Sequence, residues 1–428
     1  MSSKDRKRGM YSTRTTCRLC NSSDLQSVVN LGDIYISSFV DSPDVVVPKV
    51  PLELIQCQSC NLIQLRDTVN SNIMYADNYW YQSGLNKSMV DALKDVVDNV
   101  LARVNLSPGD IIVDIGANDG TMINMYSDEY TTVAFEPSNL SKYIDGKASV
   151  AFNTYFSADV YNRAGLDKAK VITAIAMFYD LEDPHSFVND LKNILADDGL
   201  LVIQMMDLLS MVQTGDFPNI CHEHLEYYSL AVFKKLMEDH ELTIVDVEYN
   251  TVNGGSLRAY IKHNNNAGTI SENVYKALKA EQDYFDTIGD VAEYFNAYIT
   301  TVRNAVVRYV KYFKTKNLKV AVMGASTKGN TLLQFFGLDY RDIDHAAEIN
   351  SDKFGKLTIG TNIPIISDTD SLAQFPVAYL ILPWGFLPSF ISRYKDYLVK
   401  GGSFIIPLPQ PRVLFVDKDT GVITEWTI

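Results

Sequence analysis

Short apolar runs recur along the chain, divided by polar and glycine-bearing segments. "IIVDI" (111–115), "TTVAFEP" (131–137), "VITAIAMF" (171–178) and "LLVIQM" (200–205) read as buried strands. Between the last two, "HSFVNDLKNILADDG" predicts a helix followed by a Gly turn. The same rhythm restarts at "LKVAVMGASTKGNTLLQFFGL" (318–338), as a strand, a turn at Gly324 and a helix. "HAAEINSDKFGKLTIGTNIPIIS" (345–367) adds a strand and a Gly-rich loop, "VAYLILPWGFLPSFISRY" (377–394) a buried strand and a Trp-containing turn, and "GGSFIIPLP" (401–409) the last strand. Residues 270–313 separate the two series. They contain no Pro, a single Gly and apolar positions at three- and four-residue steps, which predicts one or two connecting helices. The pattern is α/β, built twice.

The chain has 428 residues, enough for two or three domains. A net charge of −14 argues against nucleic acid as the main partner, because phosphate backbones want a basic face. No run of about 18 apolar residues occurs, so no membrane span is expected. The start, "MSSKDRKRGMYSTRTT", is polar and basic, unlike a secretory signal, and a cytoplasmic location is expected. Oligomeric state leaves no trace in the sequence.

Four of the five cysteines form two pairs, "CRLC" (Cys17, Cys20) and "CQSC" (Cys57, Cys60). Each pair can pinch a metal ion through a tight turn, and two pairs complete a closed tetrahedral thiolate site, the pattern of structural zinc. A redox dithiol is the other reading, but such motifs come singly near a βαβ unit.

The run ending at Asp114 leads into "GANDG", with Gly116 and Gly120, and then "TMINMYS", expected as a helix. The next strand ends in Glu136, 20 residues after Gly116, where a carboxylate can accept from both hydroxyls of a ribose. Asp114, Gly116, Asn118, Gly120 and Glu136 together fit an S-adenosylmethionine (SAM) site of a class I methyltransferase, with an NAD-type Rossmann domain as the alternative. In the second series Walker A spacing fails, because Asn330 stands where Lys must follow the glycine. Lys328 and Asn330 at that helix start are candidates for holding a phosphate. No acid is read at the end of the following strand, so one SAM site is expected.

"CHEHLEYYSL" (221–230) crowds two of the six histidines, a cysteine, two glutamates and two tyrosines into ten positions. A metal pair is disfavoured, because the H-E-x-x-H pattern would need His where Glu226 stands. Aromatic packing with satisfied histidines is the bland reading. Acid–base chemistry is the third: a His removes a proton near neutral pH, a Glu orients it, and tyrosines bind the oxyanion that develops.

"CRLC…CQSC", "YWYQSG" (79–84), "DIGANDG", "CHEHLEYYS", "VNGGSLR" (252–258) and "GASTKGN" (324–330), in this order, resemble the SAM-dependent sugar C-methyltransferases that act on nucleotide-linked 4-keto-deoxyhexoses. The resemblance implies a class I methyltransferase Rossmann-like domain with an N-terminal zinc-binding module and a second C-terminal Rossmann-like domain. The expected boundaries are 1–75 for the tail and zinc module, 76–266 for the methyltransferase domain, 267–316 for connecting helices and 317–428 for a sugar-nucleotide-binding domain. It also implies His224 as the base that removes the proton beside the keto group, with Glu223 in support and Tyr79 or Tyr81 reaching in. His222 and Tyr228 are implied pocket residues. The better-known sugar C-3 enzymes have Tyr directly before "HEH", where this chain has Cys221. They have His in the loop where this chain has Asp180. Both positions belong to the family's polar pocket. O-methyl transfer to a sugar hydroxyl and a catalytically silent sugar-nucleotide binder stay open as alternatives.

Overall fold

A computed structural model describes residues 10–36, 38–45, 47–70, 73–74 and 81–427. The chain forms two compact units. One comprises Met1–Gln26, Ile55–Ser210 and Glu223–Gly289, the other Ser27–Leu54, Met211–His222 and Asp290–Ile428.

The first unit is built on seven strands: β1 (Ile111–Ile115), β2 (Thr131–Phe135), β3 (Val150–Phe152), β4 (Ala169–Ile175), β5 (Leu195–Met206), β6 (Leu242–Asn250) and β7 (Ser256–His263). Their order across the sheet is β3-β2-β1-β4-β5-β7-β6. β1 to β5 are parallel, and β7 inserts antiparallel between β5 and β6. That order, with one reversed strand, is the class I methyltransferase sheet. The parallel strands bring the carboxyl ends of β1, β2, β4 and β5 to one edge, where open α/β sheets hold their ligands.

Helix α1 (Lys87–Arg103) starts at Asn86, whose side chain accepts from the Ser88 N–H. Its buried positions, Leu93, Val96, Val97 and Val100, recur at three- and four-residue steps and join Ile112, Val171, Val202 and Tyr260 in one core. Each such side chain contributes about 1.5–3 kcal/mol on burial. Helix α2 (Pro184–Ile194) is capped by Asp183. Helix α3 (Leu230–Asp239) is capped by Ser229 and also by a carboxylate from α4 (Glu272–Ile288). Glu281 accepts from the N–H groups of Leu230 (2.6 Å) and Ala231 (3.0 Å). After Gly120 the expected helix is only a single 3-10 turn, Ile123–Met125. Six residues separate that glycine from Ser127, too few for a stable α-helix.

The second unit contains α5 (Val291–Lys314), whose buried face runs Phe295, Ile299, Val302, Val306, Tyr309, Val310 and Phe313. Its sheet comprises β8 (Val320–Met323), β9 (Ala346–Glu348), β10 (Ile365–Ser367), β11 (Ala378–Ile381), β12 (Ser403–Ile406), β13 (Arg412–Val416) and β14 (Ile423–Trp426). The order is β10-β9-β8-β11-β12-β13-β14, parallel through β12 and then antiparallel. Its first five strands repeat the order of β3-β2-β1-β4-β5. Helix α6 (Thr327–Phe336) follows β8, capped by Ser326 and ended by Gly337 in the left-handed conformation.

One expectation is corrected here. The second sheet does carry an acid after its second strand: β9 ends in Glu348, and Glu348 Oε2 accepts from the Ala325 N–H at 3.1 Å. The sequence hides it because β9 has three residues, too few for a periodic signal.

Among the described residues no helix is long and apolar enough to cross a membrane.

Candidate active site

The loop after β1 turns on Gly116 at φ +74°, a conformation open to glycine. A Cβ there would stand 3.1 Å from Met177 Cγ. The N–H groups of Gly116 and Ala117 both donate to Phe135 O (2.9 and 3.0 Å). Asn118, also at positive φ, donates its N–H to Glu136 Oε2 at 2.8 Å. Its side chain accepts from Ser83 N and donates to Tyr81 O, both at 2.9 Å. Gly120, at φ +75°, lies under Ile144 and Lys147.

Glu136 is buried at the tip of β2. Oε1 takes the Ser138 N–H (2.9 Å) and Oε2 that of Asn118. With one such donor on each oxygen among the described residues, the carboxylate has acceptor capacity left for two vicinal hydroxyls. Asp114 is buried on the neighbouring strand β1, in register with Ala134, and Thr173 Oγ1 donates to it at 2.8 Å. Burial pushes its carboxyl up to about 7, helped by the charge of Glu136 and opposed by the Thr173 hydroxyl. The glycine turn, the acid with spare acceptor capacity and the sheet order fit SAM.

At the tip of β4 the chain makes a 3-10 turn, Phe178–Asp180. The half-buried His224 ring packs edge-on against Tyr179, centroids 4.5 Å apart. Leu225 next to it is pinned on both sides. Its N–H donates to Tyr179 O, and its carbonyl accepts from Leu65 N, each at 2.8 Å. Glu226 and Tyr227 then pair antiparallel with Gln64 and Ile63. The structure thus brings His224 beside the Tyr179–Asp180 turn, at the edge that carries Gly116 and Glu136. Glu223 and Asp180 are half-buried in these same two segments. Tyr81 meets the loop through its carbonyl, on Asn118, and its ring is exposed. Tyr79 lies outside the described residues.

Of the remaining candidates, Tyr228 lies in the core of the first unit, and His222, Asn330 and Lys328 lie in the second unit. Tyr228 is fully buried among Phe178 and Phe233, and its hydroxyl donates to Glu226 at 2.9 Å. His222 belongs to the second unit, buried, with Nε2 3.1 Å from Val50 O. Burial holds it down to about 4, so it is neutral at pH 7. Asn330 is buried and donates to Ser38 O at 3.0 Å. Lys328 hydrogen-bonds Asn219, which donates to the buried Asp216 at 2.7 Å.

The four cysteine sulfurs lie within 4.8 Å of one another. Both pairs make the same knuckle. Asn21 and Asn61 follow at φ 57° and 63°, and each donates its N–H back to the carbonyl of the first cysteine of its pair (3.1 and 2.9 Å). Four converging thiols, with the Leu19 N–H 3.4 Å from the Cys17 sulfur and Gln64 Nε2 3.2 Å from it, fit a zinc tetrathiolate with no open position.

Some residues of the site escaped the sequence. Asp119 accepts from the Gly84 N–H at 2.9 Å and anchors the segment that leads into α1. Asp207, buried directly after β5, keeps one oxygen without a partner among the described residues. It ends an apolar run as Asp114 does, and that was the available signal.

Three family models match in succession: a zinc binding domain over residues 17–75, a methyltransferase domain over 85–247, and a C-methyltransferase C-terminal domain over 251–409. Together the three models span residues 17–409 in the order of a zinc-binding, SAM-dependent C-methyltransferase. It is 28% identical over 411 residues to the C-methyltransferase NovU of Streptomyces niveus, an alignment that covers 94% of this chain and 97% of that one. Solved structures similar in part include the magnesium protoporphyrin IX methyltransferase ChlM of Synechocystis PCC 6803 with bound SAM (13% identity, 41% of this chain, 79% of that one, TM-score 0.31). Another is the mycolic acid cyclopropane synthase CmaA1 (12% identity, 43% and 89%, TM-score 0.32). The chain is a SAM-dependent methyltransferase with a zinc-binding domain, and Cys17, Cys20, Cys57 and Cys60 form a cluster that could hold the metal.

Proposed function

We propose that this enzyme methylates the carbon beside the keto group of a nucleotide-linked 4-keto-deoxyhexose. The observation that carries the reading is the seat of His224, packed on Tyr179 at the strand edge that also presents Gly116 and Glu136. A base there can take the proton from a carbon held over the β4 tip, and the bonding pair moves toward the keto oxygen to give an enolate. SAM, when bound, supplies an electrophilic methyl to that carbon and leaves as S-adenosylhomocysteine. Glu223 stabilises the imidazolium, and Tyr79 or Tyr81 and Asp180 orient the sugar. Glu136 holds the ribose diol, and the Gly116–Gly120 loop lets the backbone approach the cofactor. Residues 1–75 act as the zinc module, 76–266 as the catalytic domain and 267–316 as the connector. Residues 317–428 hold the sugar nucleotide, with Lys328 and Asn330 at its helix start.

SAM carrying a carbon-13 methyl, offered with a panel of nucleotide-linked 4-keto-6-deoxyhexoses, tests the reading by where the label lands. A carbon-bound methyl is expected, and an oxygen-bound one would replace the enolate with hydroxyl chemistry. His224→Ala should lower turnover by about 10²-fold or more with SAM binding intact. Near-normal turnover would remove the base assignment.

A further inference from the structure

Arg18 stands inside the first cysteine pair, yet its side chain is fully shielded from solvent. A guanidinium has five N–H donors, and here each finds an acceptor. Nη1 donates to Gln64 Oε1 (3.1 Å) and Leu65 O (2.7 Å). Nη2 donates to Thr68 Oγ1 (2.6 Å) and Glu182 Oε2 (3.2 Å), and Nε to Glu182 Oε2 (3.3 Å). The Arg18 N–H also donates to Gln64 Oε1, whose amide nitrogen reaches the Cys17 sulfur.

Two of these acceptors lead to the candidate base. Leu65, whose carbonyl Arg18 holds, donates its N–H to Leu225 O. Leu225 donates its own N–H to Tyr179 O, and three residues on from Tyr179 stands Glu182, back on Arg18. The ring Arg18–Leu65–Leu225–Tyr179–Glu182 closes on itself. It fixes the two segments that carry His224 and Asp180 relative to each other, and it fixes both to the metal knuckle. Thr68 Oγ1 also donates to Glu182 (2.8 Å), and Arg14 pairs with its other oxygen.

We propose that Arg18 is a positioning residue, coupling the zinc knuckle to the geometry of His224 and the Tyr179–Asp180 turn. Its importance for methyl transfer rests on the reading of His224 as base, but its effect on where His224 sits does not. A misplacement of about 1 Å costs up to about 10²-fold in rate, so a structural metal site can reach catalysis through this side chain. Lysine, with three donors on one nitrogen, cannot span Leu65 O and Glu182 in the same plane.

The test uses full-length protein labelled with carbon-13 at histidine Cε1. The six histidine signals are few enough to resolve, and His224→Ala identifies that of His224. The Tyr179 ring current makes this signal a gauge of position. In Arg18→Met, zinc content and SAM affinity are expected to hold while the His224 resonance is displaced and broadened. Arg18→Lys should give a smaller displacement. On the acceptor found by the labelled-methyl assay, kcat should fall toward 10²-fold while KM for SAM holds. If Arg18→Met loses its zinc, Glu182→Ala, which keeps Arg18 and all four cysteines, decides in the same way. An unmoved His224 signal in the folded variant overturns the proposal, whatever the turnover. Normal turnover in His224→Ala removes the base reading instead and leaves the resonance result standing.

Discussion

The two α/β sheets of this chain begin alike and end differently. Gly116 after β1 and Gly324 after β8 both adopt positive φ, and each donates its N–H to the strand alongside, Phe135 O or Ala347 O, at 2.9 Å. A Cβ on either would crowd a residue just past the fourth strand, Met177 or Pro383. Each second strand delivers a buried glutamate, Glu136 or Glu348, onto a backbone N–H of the glycine loop. The difference is what else the carboxylate meets. Among the described residues Glu136 accepts from backbone N–H groups alone and keeps acceptor capacity for a diol. Glu348 takes the N–H groups of Ile349 and Asn350 as well, and Lys353 pairs with it at 3.3 Å while donating to Ala325 O at 2.7 Å. One cradle stays open for a ligand, and the other is closed by the chain's own lysine. A second contrast lies within the sheets. Asp114 pairs in register with Thr173, whereas the matching position in the second sheet is Val322 beside Leu380. A repeated fold therefore does not repeat a site; the polar atoms left without internal partners do.

The largest effect that would break this comparison comes from the glutamates. Glu136→Ala should weaken SAM binding by about 10²-fold or more, since two charge-assisted hydrogen bonds of about 1.5–3 kcal/mol each are lost. Glu348→Ala should leave SAM binding unchanged. Calorimetric titration of both variants decides, and equal losses would mean that both cradles serve the cofactor. A smaller effect is expected from Lys353→Met. Removing the cation from a buried carboxylate should cost about 1–3 kcal/mol in denaturant unfolding with SAM affinity unaltered, and adding Glu348→Gln should recover part of it. Unchanged stability would show that Lys353 closes nothing.

The smallest effect sharpens the Asp114–Val322 contrast. The folded Asp114 carboxyl titrates near 7, above its unfolded value of 3.8. Between those values the folded chain keeps a proton that the unfolded chain has released, so stability declines as pH rises from about 4 to 7. Asp114→Asn should flatten this slope in melting curves of the SAM-free enzyme. A slope equal to that of the parent would place the Asp114 pKa near normal.

Much of the first half could be read from the residues alone, because its signals are local. The paired cysteines, the apolar run into Gly116 and the acid 20 residues later each depend on a few neighbouring positions. "HEH" was visible as a crowd of titratable groups. Its surroundings were not: Leu225 is held by Leu65 and Tyr179, two residues that lie far upstream of it and far from each other in sequence. Tyr228 reads in the sequence as pocket lining or as a core aromatic, and the structure seats it in the core with its hydroxyl on Glu226. A ten-residue crowd does not reveal which of its members face inward, since that depends on what packs over them.

By itself the sequence determined the four-cysteine cluster, the glycine loop after β1, the double α/β plan and the crowded segment proposed to carry the base. Each follows from short-range geometry: a CxxC turn, a glycine at positive φ, an apolar run long enough to be a strand. Only the tertiary structure decided that Glu348 is an acid of the second cradle, that Lys353 closes it, and that Arg18 ties the knuckle to Glu182, 164 positions away. Hydrogen bonds at such separations leave no periodic trace. They exist because a buried charge must find partners wherever the fold brings acceptors within reach.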